Sequence, residues 1–185
     1  MQILGLSLLD FIGSTISIFS VFCMLKKNIM YWYSAIICNI LWFIVFINKS
    51  LYLSSALQIT YILFSLYGIL RWRYNKKNKK LNSFIDNLGL MISLIIISFA
   101  FVNSSFQNIY DVIEILAVIL LITANLLTAK EKSYCWYFWI IGDLLYSLFL
   151  FHEKVFGFFI IQIIFVFLSF WGLYEWKKKL QSIPH

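Results

Sequence analysis

The chain has 185 residues, of which 62% are hydrophobic, 20% aromatic and only 12% charged, and its formal net charge is +7. A soluble domain averages about 45–50% apolar and about 25% charged residues, so this composition excludes an ordinary soluble domain and indicates an integral membrane protein. The basic residues lie between the hydrophobic runs or after the last one. The positive charge therefore indicates contact with an anionic membrane surface and not with nucleic acid.

Seven apolar runs follow one another along the chain, and each is long enough to cross about 30 Å of hydrocarbon as a helix. A segment inside a bilayer must satisfy its backbone hydrogen bonds internally, so the runs predict helices and not open strands. The predicted fold is an all-α integral membrane protein with seven transmembrane helices, which cover residues 4–24, 30–47, 52–71, 84–102, 111–128, 134–151 and 155–174.

The basic residues are distributed unequally between the two faces that seven spans create. Lys49 and Lys154 fall on one face, and all the other Lys and Arg residues of the total of 15 fall on the opposite face. Loops rich in Lys and Arg remain in the cytoplasm. This asymmetry predicts an N-terminus outside and a C-terminus in the cytoplasm.

The sequence contains an internal repeat, in which residues 10–73 align without a gap on residues 114–177. Two three-helix repeats joined by one helix have the same orientation in the membrane. Parallel repeats of this kind occur in transporters with a substrate site near the midplane. The predicted organisation within one membrane domain is a first three-helix repeat in 1–80, a linker helix in 81–105 and a second repeat in 106–180. The matching pairs are Trp32 and Trp136, Gln58 and Gln162, Gly68 and Gly172, and Trp72 and Trp176, with the similar pairs Asp10 and Glu114, and Asn39 and Asp143.

Polar side chains at membrane depth are the candidate site residues. Asp143 lies near the middle of the sixth span, where an exposed carboxylate costs about 2.5–3.5 kcal/mol, so we expect it to face protein or a cavity. Trp136 and Trp139 precede it on the same helical stripe. Gln58 and Tyr61 share a stripe of the third span. Asn39 and Gln162 complete the predicted substrate-binding set.

Aromatic faces attract delocalised or quaternary cations, and a carboxylate among them favours a positively charged aromatic ligand. The spacing therefore predicts a site for a flat, cationic, vitamin-like molecule. Structural roles compete with this interpretation. Trp136 lies near the predicted membrane interface, where tryptophans are common, and Gln58 and Gln162 have the chemistry to link helices. Asp10 and Glu114, nearer the outer surface, are candidates for gating or ion coupling.

These residues resemble the PnuC family of bacterial vitamin transporters, typified by nicotinamide riboside uptake. The segment Trp136-x-x-Trp139-x-x-x-Asp143 is similar to the family pattern WxxWxxxN/D of the sixth core helix. The stretches 61–72 and 165–176, each ending in Gly-x-x-x-Trp, resemble the third and seventh core helices. Asp143 stands where many nicotinamide riboside transporters have Asn.

The resemblance implies a 3+1+3 fold like that of the SWEET sugar transporters, placed in the bacterial inner membrane. It implies facilitated diffusion by alternating access, with a cytosolic kinase that traps the substrate by phosphorylation. Carried over to this chain, it implies that Trp136, Trp139 and Asp143 line the substrate site, with Asn39, Gln58, Tyr61 and Gln162 as partners. A homotrimer is implied as well. The expected substrate is nicotinamide riboside, and thiamine or riboflavin is the alternative within the family.

Other functions are less well supported by the sequence. Sugar and amino-acid carriers of related folds use a proline hinge in each repeat, and no predicted span here contains proline. A membrane enzyme would need a reactive constellation, and the sequence contains neither a metal-ligand cluster nor a Gly-rich phosphate loop. No cofactor is expected. A receptor or an assembly subunit is the remaining alternative.

Overall fold

The structure is a computed structural model that describes residues 8–74, 87, 91, 94–95, 97–98, 101–102 and 107–181. Its six helices in this part of the chain agree with the predicted all-α fold. The predicted fourth span, residues 84–102, falls largely outside the described residues, so the linker helix and the count of seven remain predictions. The helices are α1 (Leu8–Leu25), α2 (Met30–Asn48), α3 (Tyr52–Tyr74), α4 (Ile109–Ala129), α5 (Cys135–His152) and α6 (Phe156–Gln181).

The six helices form a closed ring. Each helix packs against its neighbour in the chain, from α1 to α2, α2 to α3 and onward to α5 and α6. Two further contacts, α3 with α4 and α1 with α6, join what we call the first half (α1–α3) to the second half (α4–α6). An interior is thereby enclosed between the two halves.

Tight turns join the helices within each half. Lys27, Ser50, Glu131 and Lys154 follow the ends of α1, α2, α4 and α5, and all have positive φ, between 53° and 58°. After α1, the Asn28 backbone N–H donates to the Cys23 carbonyl over 2.9 Å, the arrangement that closes a helix with a left-handed residue. Lys27 and Glu131 are 104 residues apart, and so are Ser50 and Lys154, so the two halves turn at equivalent positions.

The outer surface of the ring is apolar, and the interior combines a hydrophobic core with buried polar side chains. On α2, Ile37, Ile40 and Ile44 face outward, whereas Asn39 and Trp42 are buried. Large exposed apolar faces of this kind suit contact with lipid chains. Among the described residues, five helices are long and apolar enough to cross a membrane, and α1 has a shorter apolar stretch, Phe11–Leu25. The chain is therefore a multi-pass membrane protein.

Glycine and tryptophan pack together in the same way in both halves. A Cβ atom on Gly68 would lie 2.2 Å from Trp32 Cε2, and one on Gly172 would lie 2.4 Å from Trp136 Cζ2. Only glycine therefore permits these close approaches. Both indoles are fully buried, so Trp32 and Trp136 serve helix packing and do not face the lipid interface.

Two tryptophans join the halves at the ends of the helices where α1 and α4 finish. Trp72 Nε1 donates to the Ala129 carbonyl over 3.2 Å, and Trp176 Nε1 donates to the Leu25 carbonyl over 3.2 Å. Lys27 Nζ also lies 4.5 Å from the centroid of the Trp176 ring. In each half, a tryptophan of the last helix thus donates a hydrogen bond to a carbonyl at the C-terminal end of the first helix of the other half.

Candidate functional site

A cavity of about 70 Å³ lies inside the ring of helices and opens partly outward. All six helices contribute to the lining, which consists of Ser17, Ser20, Val21, Met24, Tyr31, Ala35, Cys38, Asn39, Trp42, Tyr61, Asn125, Trp139, Asp143, Phe158, Gln162, Phe165 and Ser169.

Several polar atoms of the lining have no hydrogen-bond partner in the described part of the chain. These are both carboxylate oxygens of Asp143, the amide oxygens of Asn125 and Gln162, and the hydroxyl of Tyr61. Asp143 is only 1% exposed. Buried polar groups without partners are costly, and proteins tolerate them where a ligand or water completes the hydrogen bonds. The four side chains therefore form a polar binding surface.

Aromatic rings make up much of the remaining lining. Trp42 stacks on Phe158 with 4.1 Å between ring centroids and 22° between planes, and Tyr61 lies 6.1 Å from Trp139. Flat ligands stack favourably on surfaces of this kind. The cavity thus combines an aromatic surface with a polar one.

The two indole N–H groups of the lining are already occupied by hydroxyl groups. Trp42 Nε1 donates to Ser17 Oγ over 3.1 Å, and Trp139 Nε1 donates to Thr128 Oγ1 over 2.9 Å. These bonds orient the rings and occupy their N–H groups, so a ligand would contact only the ring surfaces that other side chains leave uncovered. Ring faces are negative and attract cations.

The charge of the lining has one sign. Asp143 is the acidic residue of the set, and the lining contains no Lys or Arg among the described residues. An enclosed site lined by negative charge and aromatic faces concentrates cations and repels anions.

Four pairs of residues 104 positions apart line the cavity, and in each pair the two side chains differ in chemistry. The pairs are Val21 and Asn125, Ala35 and Trp139, Asn39 and Asp143, and Tyr61 and Phe165. Further lining residues lie on α1, α2 and α6, and the residues at the equivalent positions of α4, α5 and α3 do not line the cavity. The site is therefore asymmetric, as an asymmetric ligand requires.

Five of the predicted substrate residues come together in the lining, namely Asn39, Tyr61, Trp139, Asp143 and Gln162. The other two lie elsewhere, although both are buried. Trp136 packs on Gly172 and lies 5.4 Å from the Trp176 ring. Gln58 lies on α3 outside the lining, and neither of its amide atoms has a partner in the described part of the chain. Ligand contact by all seven remains a prediction.

The two gating candidates have different outcomes. Glu114 is 6% exposed and accepts a hydrogen bond from the Ser54 hydroxyl across the contact between α3 and α4. It does not line the cavity. Asp10 lies in α1, but its side chain is outside the described part of the structure.

Sequence analysis missed several lining residues. Asn125 is a polar residue within the predicted fifth span, and its position alone was a signal that could have identified it. Trp42 lies three residues after Asn39, on the same face of α2. Phe165 shares a stripe of the predicted seventh span with Gln162, whereas Phe158 carried no comparable signal, because phenylalanine is common on lipid-facing surfaces.

The chain is thus a multi-pass membrane protein whose helices surround a central cavity. The family model described as nicotinamide mononucleotide transporter matches residues 7–178. The chain therefore belongs to this family, the PnuC family, and the resemblance seen in the sequence is confirmed. No curated protein and no solved structure matches the chain.

Proposed function

We propose that the protein imports a positively charged aromatic vitamin, first of all nicotinamide riboside, across the bacterial inner membrane. The observation that carries the proposal is the Asp143 carboxylate, buried without a hydrogen-bond partner among the described residues, in a cavity with aromatic walls. Trp139 and Trp42 present ring faces to the pyridinium cation, and Asp143 balances its charge. The hydroxyl and amide groups of the substrate bind Asn39, Asn125, Tyr61 and Gln162.

The charge of the lining supports the nucleoside over the mononucleotide named in the family description. A phosphate group adds about 1.5–2 negative charges at pH 7. Proteins usually hold phosphate with Arg, Lys or backbone N–H groups, and the described lining contains neither Arg nor Lys. Asp143 would repel the phosphate, so the unphosphorylated molecule is the expected substrate.

The mechanism we propose is facilitated diffusion by alternating access. The two halves act as parallel repeats joined by a linker helix in 81–105, in a 3+1+3, SWEET-like arrangement with the C-terminus in the cytoplasm. The equivalent turns, the two glycine–tryptophan contacts and the two tryptophan–carbonyl bonds support this repeat. A cytosolic kinase then traps the imported substrate. The protein acts without a cofactor, and assembly as a homotrimer is part of the same proposal.

Thiamine is the second candidate, because it also carries a ring cation and fits the same charge. Thiamine has no sugar, so a thiamine carrier would need fewer hydrogen-bonding groups. The four polar groups of the cavity therefore favour nicotinamide riboside. Riboflavin is neutral and gains less from Asp143. The family match makes a receptor or an assembly subunit less well supported than a transporter.

Calorimetric titration of the detergent-purified protein tests the substrate. The ligands are nicotinamide riboside, its mononucleotide, thiamine, riboflavin and glucose. We expect nicotinamide riboside to bind at least about tenfold more tightly than the mononucleotide, the ratio expected where an enclosed site carries one sign of charge. Tighter binding of the mononucleotide would refute the charge argument, and binding of thiamine alone would identify the second candidate.

Cys38 offers a native reporter of the same site, because its thiol lines the cavity. In a variant with Cys23 and Cys135 replaced by Ala, a bound substrate should slow the alkylation of Cys38 by a small neutral maleimide. Glucose serves as the matched control and should leave the alkylation rate unchanged. Equal rates with and without a ligand that binds by calorimetry would place its site elsewhere.

A further inference from the structure

Glu114 is a second buried carboxylate, at a different depth from Asp143. The rings of Tyr110 and His152 stack with 4.1 Å between centroids, which places the outer ends of α4 and α5 at one level. With a rise of 1.5 Å per residue, Glu114 lies about 6 Å and Asp143 about 13 Å below that level. Glu114 is therefore nearer the predicted outer face.

Polar side chains surround Glu114 between the two halves. The Ser54 hydroxyl donates a hydrogen bond to Glu114 Oε1. The fully buried Tyr146 lies near Ser54 and Glu114. Gln58 lies one helical turn from Ser54, on the same face of α3, and is 1% exposed. We call these four residues the outer polar cluster.

The outer polar cluster has unused hydrogen-bonding capacity. The amide nitrogen and oxygen of Gln58 and the hydroxyl of Tyr146 lack partners in the described part of the chain. Glu114 has no Lys, Arg or His within 4.0 Å among the described residues. A buried carboxylate without a cationic partner is costly, and a cation that entered the cluster would supply the missing partner.

The cluster connects with the cavity. Tyr61, which lines the cavity, lies near enough to both Asp143 and Tyr146 to interact with them electrostatically. Asp111 and Glu153, near the outer ends of α4 and α5, add negative charge close to Glu114. A cation arriving from outside would thus meet negative charge first at the surface, then at Glu114, and finally at Asp143.

We propose that Glu114, Ser54, Gln58 and Tyr146 form an outer binding site that receives the positively charged ring of the substrate before it enters the cavity. This inference rests on the proposed function, since it assumes a cationic substrate. The Ser54–Glu114 hydrogen bond crosses from α3 to α4, so it holds the outer site closed. It breaks when the two halves separate on the outer side.

Thiol modification tests the outer site without any vitamin. A Ser54→Cys variant, with Cys23, Cys38 and Cys135 replaced by Ala, is treated from outside in intact vesicles. The reagents are two membrane-impermeant methanethiosulfonates of similar size, one carrying a trimethylammonium group and one a sulfonate. We expect the cationic reagent to react at least about tenfold faster relative to its rate with a free thiol, because a negative cleft concentrates cations.

Two further variants identify the source of that preference. Adding Glu114→Gln, which keeps the volume and can still accept a hydrogen bond, should reduce the ratio to within about twofold. Adding Glu153→Gln is the matched control for surface charge and should leave most of the preference. The inference would be refuted if Glu114→Gln left the ratio of the two reaction rates unchanged, or if Glu153→Gln reduced it as much as Glu114→Gln does. It would also be refuted if neither reagent reached the introduced thiol. Gln58→Cys provides the same test if Ser54→Cys does not fold.

Uptake measurements separate this inference from the proposed function. In proteoliposomes, Glu114→Gln should raise the KM for external nicotinamide riboside several-fold, while the calorimetric Kd of the cavity stays within about twofold of the wild type. An equal increase in KM and Kd would mean that Glu114 belongs to the cavity site. If the wild type binds no vitamin while the reagents still discriminate by charge at the thiol introduced by Ser54→Cys, the proposed substrate is wrong and the outer cation site remains supported.

Discussion

Gln162 and Gln58 occupy equivalent positions in the two halves, yet only Gln162 lines the cavity. The reason lies in their neighbours. On the side of Gln162, Ser17 and Cys38 line the cavity. Their equivalents on the other side are Leu121 and Gly142. There the Leu121 side chain packs against Gly142, and a Cβ atom on Gly142 would lie only 2.8 Å from Leu121 Cδ2. A repeated residue thus acquires a different role once the volumes around it diverge.

The comparison extends to the residues that carry charge. Asn39 and Asp143 are equivalent and both line the cavity, but only Asp143 can balance a cation. Conversely, the first half carries Ser54 where the second half has Phe158. Ser54 holds Glu114 on one side of the molecule, while Phe158 stacks on Trp42 on the other. Similar backbones therefore support a binding cavity on one side and a closed polar cluster on the other.

The largest effect on ligand affinity is expected from making the equivalent positions 39 and 143 identical. Asp143→Asn places an amide on both sides and removes the carboxylate that balances the ligand cation. Hydrogen bonds to charged groups contribute about 1.5–3 kcal/mol, so the affinity for nicotinamide riboside should fall about 10- to 100-fold by calorimetry. Asn39→Ala is the control and should cost less. An unchanged affinity in Asp143→Asn would show that the charge is irrelevant to binding.

The glycine–tryptophan contacts test how alike the halves are away from the cavity. Gly68→Ala and Gly172→Ala each force a methyl group into a buried indole, and overpacking of this kind costs about 1–3 kcal/mol. We expect both variants to lower the thermal unfolding midpoint in detergent by similar amounts. Gly13→Ala is the matched control, since its Cβ would lie 3.2 Å from Trp42, and it should cost less. A large difference between Gly68→Ala and Gly172→Ala would break the equivalence.

The smallest effect should separate the two glutamines. Gln162→Ala removes one hydrogen bond to the ligand, worth about 0.5–1.5 kcal/mol, and should weaken binding about two- to tenfold by calorimetry. Gln58→Ala should leave the Kd of the cavity unchanged, because Gln58 does not line it. If binding depended on Gln58 and not on Gln162, the substrate would bind beside Gln58, and the predicted site would be wrong.

Part of the site was predictable because its residues are unusual at membrane depth. Asp143, Asn39 and Gln162 are conspicuous in apolar spans, and the cost of burying them without partners predicts that they face a cavity or protein. Tryptophan is less informative. Trp136 and Trp139 lie on the same helical stripe, yet one packs on Gly172 and the other lines the cavity.

The amino-acid sequence by itself determined that the chain is an all-helical membrane protein of the PnuC family, because composition, span length and motif spacing are local properties. Tertiary structure decided which members of each equivalent pair face the cavity. That outcome depends on the volumes of side chains from other helices, such as Leu121 beside Gly142. It also brought together Ser54 and Glu114, which are 60 residues apart. Contacts of that range follow from the closed ring of helices and are not encoded in any single segment.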